Sequence, residues 1–206
     1  MAWVVGAVVV GDGVAVVAVV DLVAAVVSAV AAARREDGRG GEHMRRLIQH
    51  LLYFPWRLRQ LFNKQSLSAI EREIAASEQR HSGQIRFAVE ANFGLLPLLR
   101  GVSSRARALD VFAQLRVWDT EQNNGVLIYL LLAEHRVEIV ADRGINAKLD
   151  QAVWQKICHE MQQALHKGDY TLGVCTGIRE IAAHLAVHFP SAGTHNNELP
   201  DHPVVL

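Results

Sequence analysis

The chain has 206 residues, half of them apolar and a fifth charged, which is the composition of a globular protein and not of a disordered one. Lysines plus arginines equal aspartates plus glutamates at 21 each, so no global field recruits nucleic acid or an acidic ligand. Two cysteines, Cys158 and Cys175, stand in neither a CxxC nor a metal-ligand spacing; they argue against a disulfide-stapled fold and read as small apolar residues on helices.

Residues 1–43 read either as a low-complexity Val/Ala-rich leader or as a transmembrane anchor. Apart from Met1, Trp3, Leu22 and Ser28, the stretch from Met1 to Ala33 contains only Val, Ala, Gly and Asp. Gly13 to Ala33 is 21 residues with a single charge at Asp21, long enough to span a bilayer. Arg34 and Arg35 follow, and no Lys or Arg precedes, so an anchor here leaves the rest of the chain in the cytoplasm. A signal peptide fits less well without a charged n-region. The competing reading is a low-complexity leader ahead of a start at Met44. The four residue types share codons beginning with G, and Asp21 in mid-span costs about 2.5–3.5 kcal/mol.

Residues 44–64 differ in kind. Arg45, Arg46, Arg57, Arg59 and Lys64 occur with no acidic residue, interleaved with Leu47, Ile48, Leu51, Leu52, Tyr53, Phe54, Trp56, Leu58, Leu61 and Phe62. Such a basic, aromatic-rich arm suits a membrane surface, or packs its apolar face on the domain that follows. Pro55 splits it into two pieces.

From 65 to 190 the patterns predict one α/β domain. Ser68 and Glu71 have capping-box spacing, and Leu67, Ile70 and Ile74 recur at helical period, predicting a helix that stops near Gly83. Residues 84–90 alternate as a strand with one face on the core. Pro97 and Gly101 mark a loop. Ser103 or Ser104 caps a helix over 104–117, with Leu109, Phe112 and Leu115 inward. Asn123-Asn124-Gly125 is turn chemistry, and the apolar run 126–133 reads as a strand buried on both faces. Residues 136–141 alternate and close a hairpin with it. Helices over 149–166, stopped by Gly168, and from Asp169 or Thr171 to His188 complete the set, the last with Leu172, Ile178, Ile181 and Leu185 inward. Asp169 reads as its N-cap. Pro190, Pro200 and Pro203 make 191–206 an extended tail.

The order of His81-Ser82-Gly83-Gln84-Ile85-Arg86, Asn123-Asn124-Gly125-Val126-Leu127, Asp142-Arg143-Gly144-Ile145 and Gly168-Asp169-Tyr170 resembles a TPM domain. Val117-Trp118-Asp119-Thr120 and Asn197-Glu198-Leu199-Pro200-Asp201 resemble phrases of its short bacterial subfamily. The resemblance covers about 65 to 206. It implies a central mixed β-sheet with a hairpin, flanked by about four helices in layers. Relatives in plant thylakoids are associated with photosystem repair and acid-phosphatase activity, and some bind calcium; others look like membrane-linked accessory proteins.

A hairpin of 126–133 and 136–141 brings the start of one strand beside the end of the other. Asp119, Glu121, Asn123 and Asn124 then face Asp142 and Arg143 on one rim, and Glu90 and Asn92 join them if strand 84–90 runs parallel to 136–141. Carboxylates and amide carbonyls are the ligands a hard cation such as calcium takes, and Arg143 suits a phosphate or carboxylate beside it. The structural alternative is that these residues only turn, cap and pair. His184 and His188 lie i,i+4 without a third ligand, and no GxSxG, P-loop, HExxH or GxGxxG context occurs. Two functions follow. One is a non-catalytic binding or assembly accessory near the cytoplasmic membrane face, with an unknown protein partner; the other is a calcium-assisted acid phosphatase using the rim.

Overall fold

The computed structural model describes residues 40–53, 55–191 and 197–206. Both readings of the Val/Ala-rich stretch up to Ala33 lie outside the described residues. The chain divides into two compact units, Met1–Arg46 and Leu47–Leu206, and the second holds the sheet. Among the described residues, no helix is long and apolar enough to cross a membrane.

Four strands form one mixed sheet: β1 (Gln84–Glu90), β2 (Gly125–Leu131), β3 (Arg136–Ala141) and β4 (Val204–Val205) in the order β3-β2-β1-β4. β1 runs parallel to β2 and to β4, and β2 is antiparallel to β3. Because side chains alternate across a strand, Ile85, Phe87, Val89, Ile128, Leu130, Val137 and Ile139 build one core. Ala88, Leu127, Tyr129, Leu131 and Val140 build the other. Helices α3 (Lys64–Glu78), α7 (Gln151–Lys167) and α8 (Tyr170–His188) cover the first face, and α5 (Ser104–Gln114) covers the second. The result is an α/β sandwich of three layers.

Four further helices lie among the described residues: α1 (Gly40–Leu52), α2 (Pro55–Leu61), α4 (Leu95–Leu99) and α6 (Arg143–Asn146). Pro55 opens α2, where its missing N–H costs nothing.

Several local expectations are corrected. Helix α3 starts earlier than the Ser68 box, because Asn63 Oδ1 accepts from the Ser66 N–H at 2.9 Å and caps it. It ends at Glu78, well short of Gly83. Gly83 instead permits close packing, since a Cβ there would lie 2.6 Å from Leu185 Cδ2. Strand β1 is buried on both faces except at Glu90, because the C-terminal tail covers the side expected to meet solvent. In α5 Ala108 and Val111 are fully buried and Phe112 and Leu115 pack against the same core as expected, while Leu109 is exposed. In α8 Leu172 is likewise exposed and Gly173 and Gly177 face inward. A Cβ at Gly177 would lie 2.3 Å from Met161 Sδ. Helix α7 stops at Gly168 with φ +90° as expected, but Asp169 makes no side-chain cap on α8.

Candidate functional site

The register fixes which loops meet. Gln84 pairs with Gly125, and Val126 pairs with Ala141, so residues 119–124 and 142–143 sit at one end of the sheet. β1 is parallel to β2 and therefore antiparallel to β3. Glu90 and Asn92 consequently lie at the opposite end, and the expectation that they join the rim is corrected.

Two glycines press the rim loops together. A Cβ on Gly144 would lie 2.5 Å from the Gln122 carbonyl oxygen and 2.6 Å from that of Asn123. A Cβ on Gly125 would lie 2.0 Å from the Val117 carbonyl oxygen. Asn123 takes the left-handed conformation with φ +53°, which asparagine tolerates, and its carbonyl accepts from the N–H groups of Gly144 and Ile145 at 2.9 and 3.3 Å. Arg143 Nε donates to Asn123 Oδ1 at 2.8 Å. Asp142 N-caps α6 through Oδ1, which accepts from the Arg143 N–H at 2.7 Å. Its Oδ2 is buried with no hydrogen-bond partner among the described residues, and so is Asn124 Oδ1. The Asn124 amide donates to the Ser82 carbonyl at 3.2 Å.

Asp119 and Glu121 belong to the same loop, but both are exposed. Among the described residues, no three His, Cys, Asp or Glu side chains gather as they would to hold a metal ion. The arrangement therefore brings Asn123, Asp142 and Arg143 into one bonded unit with Asn124 beside it. Asp119 and Glu121 remain at its margin.

The tail closes this end, a feature the sequence patterns missed. Gln84 Oε1 accepts from the Glu198 and Leu199 N–H groups at 3.0 and 2.9 Å, and Glu198 Oε2 accepts from the Glu121 N–H at 2.8 Å. Beneath it, Glu78 Oε1 accepts from the Ile85 N–H at 2.9 Å, taking the place of a strand on the open edge of β1. Burial, opposed by that N–H and reinforced by the hydrogen-bonded Asp201 carboxyl, pushes Glu78 up to about 8. Burial also pulls the Arg86 guanidinium down, against the attraction of Asp201 and Glu78. Arg86 donates to the His202 carbonyl at 3.3 Å. Burial thus favours the protonated form of the Glu78 carboxyl, which is held under the tail. Its presence at a polar position six residues before the start of β1 gave no periodic signal.

The opposite end of the sheet carries a second polar set. Tyr129 donates to Glu90 Oε2 at 2.6 Å, and Arg107 grips the same carboxylate with Nε at 2.9 Å and Nη2 at 3.2 Å. Burial and Glu90 push the Tyr129 phenol far up. Buried His50 accepts from the Phe93 N–H at 2.9 Å through Nδ1 and meets Glu134 Oε1 at 2.9 Å through Nε2. The Asn92 amide donates to the His50 and Tyr53 carbonyls at 3.2 and 2.6 Å. These bonds fasten the segment around His50 to the exit of β1.

Two cysteines and a histidine pair remain. Burial pushes both thiols up, that of Cys158 to about 11. Thiolate nucleophiles need the reverse. His184 and His188 are half-buried, and burial, with His188 and Lys156 nearby, lowers His184.

Comparison with known proteins agrees with this architecture. A sequence profile described as the TPM domain matches residues 58–184. The solution structure of the BA42 protein from the psychrophilic bacterium Bizionia argentinensis superposes with a TM-score of 0.62 at 28% identity, covering 69% of this chain and 93% of that one. The N-terminal domain of a P. gingivalis protein has the same fold, with a TM-score of 0.53 at 18% identity, covering 66% and 83%. No curated protein matches the chain.

Proposed function

The chain belongs to the TPM domain family, and on that premise we propose that it is a non-catalytic binding or assembly accessory at the cytoplasmic face of a membrane. Residues 44–64 supply its contact. The observation that carries this reading is the division of labour within the arm from Leu47 onward. Tyr53, Leu58 and Phe62 are buried in the domain core. Ile48, Leu51 and Trp56 remain 47%, 48% and 55% exposed, beside exposed Arg57 and Arg59. One side of the segment is committed to the fold. The other offers apolar bulk and guanidinium groups, which suits an interface of acyl chains and phosphates.

Hydrogen–deuterium exchange of the full chain with and without phosphatidylglycerol vesicles tests it. Exchange across 47–62 slows on adding vesicles, and Ile48→Ser with Trp56→Ser weakens binding by roughly tenfold or more. Unchanged exchange across that segment removes the membrane contact.

A second reading, metal-assisted hydrolysis of a phosphomonoester, has one specific observation in its favour. The unpartnered, buried Asp142 Oδ2 and Asn124 Oδ1 are hard oxygen donors of the kind calcium prefers. A bound divalent ion would polarise phosphoryl oxygens, with Arg143 exposed on the same loop to meet the ester anion. Calcium titration by calorimetry, with a fluorogenic phosphate ester assayed on wild type, Asp119→Ala and Asp142→Asn, decides it. Absence of binding heat, or turnover indifferent to both substitutions, rules out the rim mechanism.

A further inference from the structure

Helix α4 is a second apolar element at the end of the sheet remote from the rim. Its sequence, Leu95-Leu96-Pro97-Leu98-Leu99, contains no polar residue and is followed by Arg100. Leu98 is buried in the α5-side core together with Phe93. Leu96 and Leu99 are 65% and 63% exposed. The turn is closed by its own backbone: the Arg100 N–H donates to the Leu96 carbonyl, the Gly101 N–H to that of Leu98 and the Val102 N–H to that of Pro97, each at 3.0 Å. The two leucines are therefore held outward on a formed scaffold. Solvent gives no reason to place them there, and clustered exposed apolar surface marks a contact site.

The turn is also tied to the arm. Asn92 and Phe93, just ahead of it, carry the hydrogen bonds to His50 and Tyr53. Exposed Ile48 and Leu51 flank His50 on one side, and Trp56 follows Tyr53 on the other. Two sequence segments about forty residues apart are so bound at their bases while their apolar side chains stay open.

Charge selects the occupant. Arg57, Arg59 and Arg100 are exposed. Two carboxylates at this end are engaged, Glu90 by Arg107 and Glu134 by His50, each pair at 2.9 Å. The contact zone is apolar and carries these exposed guanidinium groups, which have no ion pair among the described residues, and its complement is an anionic bilayer surface.

We propose that α4 is a second membrane-inserting element, its Leu96 and Leu99 entering an anionic phospholipid leaflet beside the arm while Arg100 holds a lipid phosphate. This rests on the membrane reading of the arm and extends it to a two-point contact, which fixes the orientation of the domain and turns the rim toward the aqueous side.

The test uses the full chain, phosphatidylglycerol and phosphatidylcholine vesicles, and exchange measured separately over 47–62 and 94–101. With anionic vesicles both segments slow, and Leu96→Ser with Leu99→Ser weakens binding by about 10- to 100-fold while 47–62 still slows at saturating lipid. If 47–62 slows but 94–101 does not, and the double variant binds as wild type, the second element is overturned and the arm reading survives. If neither segment responds, both readings fall. Slowing of 94–101 without lipid, rising with protein concentration, would show a second copy of the chain on this face and would also overturn the proposal. Equal binding to phosphatidylcholine would refute the choice of an anionic surface.

Discussion

Replacing Glu78 by glutamine should make the protein more stable in alkali, against the usual expectation for removing a buried charged residue. In the folded state this carboxyl holds its proton up to about 8, whereas its ordinary value is 4.5. Between those values the folded chain keeps a proton that the unfolded chain has released. Stability linked to this group is therefore full below pH 4.5 and is lost as pH rises through 8, with a slope of up to about 1.4 kcal/mol per pH unit. Glutamine does not titrate. Its carbonyl can still accept from the Ile85 N–H, and its amide can donate to Asp201. The variant should match wild type near pH 5 and exceed it at pH 9 by on the order of 2–4 kcal/mol. Urea denaturation at intervals from pH 5 to 9 reads this directly as diverging midpoints. Parallel curves for the two proteins would mean that Glu78 is ionised in the folded state, and the account of the tail lock would fail. Glu78→Ala is the control: it strands a buried N–H and should cost about 1–3 kcal/mol near pH 5.

Gly144→Ala should destabilise by about 2–3 kcal/mol, since the new methyl meets two backbone carbonyls that cannot swing aside; a thermal melt that is unchanged would show that the rim loops are not held in contact. Tyr129→Phe removes one hydrogen bond to a carboxylate that Arg107 still satisfies, so it should cost about 1–1.5 kcal/mol in urea. A loss several times larger would mean that Arg107 cannot hold Glu90 alone. The vesicle and calcium experiments above give two further expected outcomes on independent regions.

The strands were legible in the sequence because apolar alternation at 84–90 and 136–141 and the unbroken run at 126–133 report burial directly. Helix positions were legible too, but not always their inward faces. Leu109 and Leu172 look like core residues, yet Ala108 and Gly173 define the contacts, because close approach favours small side chains and leaves large ones at the periphery. The direction of β1 was not readable, since parallel and antiparallel neighbours share one hydrophobic pattern, and that uncertainty misplaced Glu90 and Asn92. Gln84 looked like an exposed polar position; a glutamine that accepts two tail N–H groups cannot be seen without knowing that the tail returns. In the candidate site, turn chemistry exposed Asn123 and Asp142, while the partnerless oxygens beside them needed coordinates.

The two-residue strand β4 has a meaning for handling the protein. Val204 and Val205, with the Leu206 N–H on the Val89 carbonyl at 2.9 Å, occupy hydrogen-bonding groups that would otherwise be left bare along an apolar strand. Such an uncovered margin is where sheets from different molecules stitch together. Displacing the tail, whether by truncation or by ionising Glu78 beneath it, should thus first appear as turbidity and oligomers, before any spectroscopic sign of unfolding.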